Sequence, residues 1–130
     1  MLRTGFVAGG ARAALDLAGR GLLALLFIGG AVQKTLDPAP VMAMLDGLGL
    51  PGALIWPLAG FNALGAVALF LPGLTCRAAL VLALYCMATS AVHWQLRADP
   101  WQVTIMVKNW AVAGGLLILA ARPAPDPRRA

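Results

Sequence analysis

Charge is what this sequence has least of. Only 12% of its 130 residues are charged, and it holds five Asp and Glu, one His, one Tyr and two Cys. A soluble domain carries about a quarter of its residues charged. A chain so short has a high surface-to-volume ratio and cannot hide a composition that is 61% hydrophobic, with mean hydropathy +0.83, unless lipid serves as its solvent. The scarcity of ligands also removes chemistry. A metal centre needs three or four His, Cys, Asp or Glu side chains, so no metal site is expected, and paired His ligation of a haem is excluded within one chain. No Ser-His-Asp set, P-loop or dinucleotide fingerprint is present, and nothing suggests a covalently held cofactor. Cys76 and Cys86 would lie about 15 Å apart along a helix, too far for a disulfide within one subunit. The net charge of +5 is not gathered into a basic, aromatic-bearing stretch, which argues against a nucleic-acid partner.

What is present is apolar sequence in four blocks. They run over about 14–33, 53–71, 74–96 and 101–121, each near the ~20 residues that cross a hydrocarbon core. The expected fold is all-α, an integral membrane four-helix bundle occupying residues 1–121 as a single membrane domain. Between the first and second spans, Asp37-Pro38-Ala39-Pro40 and Gly49-Leu50-Pro51-Gly52 bracket Ala39 to Leu48, which predicts a short interfacial helix between two breaks. Leu71-Pro72-Gly73 and Arg97-Ala98-Asp99-Pro100 predict tight turns between antiparallel neighbours. Residues 122–130 are Pro-rich and polar and predict a disordered tail. A rival reading takes Arg3, Arg12 and the apolar run Gly21–Val32 as a signal peptide, which would leave three spans.

Four crossings put both termini and the Thr75–Arg77 loop on one side. That side collects Arg3, Arg12, Arg77, Arg122, Arg128 and Arg129, against Lys34 and Arg97 opposite. Cytoplasmic loops carry the Lys and Arg excess, so both termini are expected in the cytoplasm, with Trp56, Trp94 and Trp101 near the outer interface.

Ionisable groups inside apolar blocks are costly and tend to face protein or water. Arg20 is one of them, with Asp16 a turn earlier at a spacing that allows a structural ion pair. The alternative is an Arg that snorkels to the headgroups. Lys34, His93 and Lys108 all fall in the outer half, and Asn62 and Asn109 fall at similar depth. On the third span Cys86, Ser90 and His93 share a face; on the fourth, Trp101, Thr104, Lys108 and Gly115 do. Lys34, Asn62, His93, Lys108 and Asn109 are therefore the candidate ligand-binding residues of a polar pocket open to the outer surface. The other reading is a set of interhelical hydrogen bonds that fix packing. Two Lys and a His suit an anion, a carbonyl group or a quinone oxygen.

The sequence resembles the DoxX family, small four-helix bacterial membrane proteins related to the thiosulfate:quinone oxidoreductase subunit DoxD. The likeness rests on Arg20, Gly30-Ala-Val-Gln-Lys34, Gly49-Leu-Pro51, Gly73-Leu-Thr-Cys-Arg77, His93, and above all Gln102-Val-Thr-Ile-Met-Val-Lys108-Asn109-Trp-Ala-Val-Ala-Gly114-Gly115. Where many members have a Glu in the second helix, this chain reads Gly60-Phe-Asn62-Ala-Leu-Gly65, which loses a charge and an exchangeable proton. The resemblance implies a multi-pass protein of the bacterial inner membrane. It also implies an accessory or quinone-linked subunit of a membrane redox complex, working with a redox partner or as a homo-oligomer. A quinone is the cofactor implied. A small-molecule carrier and a purely structural membrane subunit are the alternatives.

Overall fold

A computed structural model describes residues 4–123 and 128, with side chains from residue 9 onward. Arg3, Arg129 and most of the predicted 122–130 tail lie outside the described residues. Among the described residues the chain is all helix, without a strand: α1 (Thr4–Leu36), α2 (Ala39–Gly47), a 3-10 turn (Gly52–Leu54), α3 (Ile55–Ala68), α4 (Thr75–Gln95) and α5 (Pro100–Ala120). They form two compact units, one running to Ala66 and the other starting at Val67.

In the first unit, α1 continues ten residues upstream of its expected start, since nothing between Thr4 and Ala14 breaks a helix. Its protein-facing stripe runs Asp16, Arg20, Ala24, Phe27, Ala31 and Lys34, at the three- and four-residue steps of one helix face. Every ionisable residue of α1 from Asp16 onward is on that stripe, while Leu15, Leu22, Leu25 and Val32 on other faces are exposed. Pro38 closes α1 and Pro40 opens α2, the two places where a missing N–H costs least. At the far end of α2, Gly49 takes φ 73°, so that Leu50 N–H reaches Leu45 O at 2.9 Å and Gly49 N–H reaches Asp46 O at 2.9 Å. These are the paired bonds of a Schellman cap, and they need a residue free to enter left-handed backbone. Along α3 the buried stripe is Ile55, Ala59, Asn62 and Ala66, with Asn62 its only polar member.

The second unit is an antiparallel hairpin. Asp99 caps α5 by accepting the Trp101 N–H at 3.0 Å, with Pro100 in the first helical position. Ala79, Leu82, Ala83, Cys86 and Ser90 of α4 are buried, as are Met106, Ala113, Leu116 and Leu119 of α5. Leu116 is 0% exposed. Leu116→Ala should therefore lower unfolding stability in detergent by about 2 kcal/mol. That is the low end of the usual Leu→Ala range, because apolar surroundings reduce the transfer part and leave mainly the lost packing.

Among the described residues three helices are long and apolar enough to cross a membrane: Gly9–Leu36 within α1, α4 and α5. The expected second span, 53–71, appears as a shorter apolar helix, Gly52–Ala68. Its end comes early because the Pro72-Gly73 turn draws the chain out of the helix. Phe70 N–H bonds to Val67 O at 3.0 Å and Leu71 N–H to Ala68 O at 3.2 Å, both one residue tighter than an α-helical bond, and Gly73 takes φ 79°. Hydropathy carries on through Leu69, Phe70 and Leu71, but the backbone does not.

Candidate functional site

In the first unit two polar side chains meet over one glycine. Lys34 lies in the last turn of α1, where the exposed carbonyl ends of the helix favour a cation. Its Nζ donates to Gly30 O at 3.2 Å, and the side chain is half-buried. Asn62 sits in the middle of α3 and is 3% exposed. A Cβ placed on Gly30 would come 3.2 Å from Asn62 Nδ2 and 3.5 Å from Lys34 Nζ. The carboxamide N–H pair and the ammonium thus crowd the open face of Gly30, and a side chain there would drive into both.

Asn62 Oδ1 is buried and has no hydrogen-bond partner among the described residues. An unsatisfied buried acceptor costs about 1–3 kcal/mol, so a native protein retains one only where something else supplies the donor or a function needs it. Lys34, with one of its three donors committed among the described residues, and Asn62, with donors at one end and an acceptor at the other, can hold an oxygen-bearing ligand.

Deeper in α1, Arg20 Nη2 lies 2.6 Å from Asp16 Oδ2, each side chain 22% exposed. Both lie on the protein-facing stripe, and Asp16 holds the guanidinium on the same helix.

In the second unit the polar residues bind one another across the hairpin. His93 Nδ1 and Gln102 Oε1 are 2.7 Å apart; the amide oxygen accepts, so Nδ1 carries the proton and Nε2 keeps its lone pair in the neutral ring. Asn109 Nδ2 donates to Thr89 Oγ1 at 3.2 Å, and the Thr89 hydroxyl is placed to donate to Tyr85 O at 3.0 Å or Cys86 O at 3.1 Å. Ser90, by contrast, donates within its own helix, to Cys86 O at 2.7 Å. Interhelical bonds of this kind contribute about 0.6 kcal/mol each and fix register more than they stabilise. Gln102 and Thr89 were not among the sequence candidates. The signal for Gln102 was symmetry: in an antiparallel hairpin, residues at equal distances from the turn face each other, as His93 and Gln102 do across the 96–99 turn, whereas Thr89 and Asn109 lie at unequal distances from it and no such signal marked Thr89.

Lys108 stands apart. It is exposed, with neither a hydrogen bond nor an ion pair to the described residues. The protein-facing stripe of α5 runs Gln102, Met106, Asn109, Ala113 and Leu116, one residue out of phase with the Trp101, Thr104, Lys108 face.

The sequence model of the DoxX-like family matches residues 18–122. The chain belongs to that family. Neither a curated protein nor a solved structure matches it. The DoxX-like match encloses Arg20, Lys34, Asn62, His93, Lys108 and Asn109, and leaves Asp16 outside. Family and apolar helices together make this DoxX-like chain a multi-pass membrane protein.

Proposed function

We propose that this DoxX-like protein is an accessory subunit of a redox complex in the bacterial inner membrane, and that Lys34 and Asn62 hold the head group of a quinone. The observation that carries the reading is the buried Asn62 carboxamide, its Nδ2 beside the Lys34 ammonium over Gly30 and its unpartnered Oδ1 free to accept from a hydroxyl of the reduced, quinol form. Lys34 Nζ and Asn62 Nδ2 are donors suited to a carbonyl oxygen, and both belong to one compact unit. A bound quinone would supply reversible two-electron, two-proton chemistry to a partner dehydrogenase. The chain's own residues bind and orient the ring. His93 and Asn109, tied to Gln102 and Thr89, keep the hairpin in register.

In this reading the Gly52–Ala68 helix is a fourth crossing. Its 17 residues span about 25 Å, which a locally thinned bilayer accommodates. The short α2 then lies along the outer interface, and both termini are cytoplasmic, the side to which Arg12, Arg77, Arg122 and Arg128 fall.

The test is a titration of the full chain in lipid nanodiscs with decylubiquinone and, separately, with thiosulfate, read by tryptophan fluorescence. Mass spectrometry of the protein purified in mild detergent accompanies it. Saturable decylubiquinone binding that Lys34→Met weakens about tenfold, with folding intact, is the expected outcome. A stable homo-oligomer that carries no quinone and ignores both ligands would overturn the proposal in favour of a structural subunit. Thiosulfate binding alone would favour an anion carrier.

A further inference from the structure

We infer that the exposed face of α5 centred on Lys108 docks a transmembrane helix of another protein that carries a carboxylate near the middle of the membrane. This does not depend on what Lys34 and Asn62 hold.

α5 is 21 residues long, about 31 Å, close to the thickness of a hydrocarbon core. Lys108 lies eight residues from its start, so its Cα is about 12 Å inside that end and only a few Å short of the midplane. Its side chain leans towards the helix N-terminus, but a four-carbon stem carries the ammonium only about 6 Å in that direction. The charge stays below the headgroups, on a face whose other members are Trp101, Thr104, Val107 and Ala111, all exposed. An intramembrane charge of this kind pairs with an opposite charge or faces water.

The described residues do not supply that opposite charge. Of the described acidic residues, Asp37, Asp46 and Asp99 fall outside the three long helices, and Asp16 is already bound to Arg20. A second copy cannot supply it either, because a two-fold interface on this face sets Lys108 against its own image. Charge complementarity therefore calls for a different chain. Thr104, Lys108, Ala111 and Gly115 follow one another at steps of four, three and four, and the small residues Ala111 and Gly115 let a neighbouring backbone approach closely. A partner Asp or Glu level with Lys108 would be drawn into a nearly dry contact.

The probe is a synthetic Leu-rich transmembrane peptide with one central Glu, and a twin with Gln, each labelled for energy transfer to the full-length protein in proteoliposomes at pH 8. The Glu peptide is expected to associate about tenfold more tightly than the Gln peptide. Lys108→Met should erase the difference, and Lys108→Glu should restore it for a peptide with a central Lys. Equal association of the Glu and Gln peptides with the wild-type protein overturns the inference. So does disulfide trapping of a Lys108→Cys dimer at full yield, which assigns the face to a second copy. Labelling of Lys108 by a membrane-impermeant amine reagent also overturns it, because the ammonium then reaches headgroup level.

Discussion

Asn62→Leu is expected to make the protein more stable and to abolish its ligand binding. Asn62 is 3% exposed on the stripe Ile55, Ala59, Asn62, Ala66, whose other three members are apolar, and its Oδ1 has no partner among the described residues. Leucine has the same fork at Cγ, with somewhat larger end groups, and places no polar atom there. Its two methyl groups take the places of Oδ1 and Nδ2, the second of them against Gly30, which carries no side chain to oppose it. Removing an unsatisfied acceptor returns about 1 kcal/mol, seen as a rise of a few degrees in the detergent melting temperature. Decylubiquinone affinity should fall at least a hundredfold, because the carboxamide is both a contact and the reason the neighbourhood is polar. A leucine variant that is less stable and still binds would mean that Asn62 is satisfied by ordered water and acts in packing alone. The opposite signs of the two effects distinguish a functional Asn from a structural one.

The fold was legible in the sequence wherever the backbone had punctuation. Pro38, Pro40, Gly49 and Pro51 delimit α2 to within one residue of the expected 39–48, because proline and left-handed glycine act locally and do not depend on what surrounds them. Asp99-Pro100 starts α5 one residue before the expected boundary for the same reason. Apolar runs gave the three long helices. They misjudged α3, since Leu69, Phe70 and Leu71 score as membrane sequence while the turn at Pro72-Gly73 has already taken them out of the helix. The candidate site was legible in composition and not in phase. Soluble helices announce their buried face by hydrophobic period, but helices that are apolar all round do not. Lys108 and Asn109 are adjacent in sequence and about 100° apart around α5, so one faces the hairpin and the other faces outward. On α4 the phase of Cys86, Ser90 and His93 was readable, because three polar or small side chains at steps of four and three mark a single face. The meeting of Lys34 with Asn62 depends on two helices far apart in sequence, which no local pattern encodes.

Gly30→Leu should be the most damaging single substitution in the first unit. The first atom of any side chain at this position arrives 3.2 Å from Asn62 Nδ2 and 3.5 Å from Lys34 Nζ. Lys34 can swing aside, since its stem is flexible and it ends the stripe. Asn62 cannot, because it is held in the buried face of α3. Alanine would push a few tenths of an ångström and give a mild loss. Leucine adds three further carbons to a contact already tighter than van der Waals separation, so α1 and α3 must move apart or one of them must rotate. Overpacking of this kind costs about 1–3 kcal/mol, and the upper end is expected because the obstacle is a buried amide rather than the end of a flexible chain. The readouts are a lower melting temperature, lost decylubiquinone binding, and partial recovery of stability, but not of binding, in the Gly30→Leu, Asn62→Ala double variant. That recovery follows only if the clash is with the Asn62 side chain. Equal stability of the single and double variants would place the obstruction elsewhere on α1.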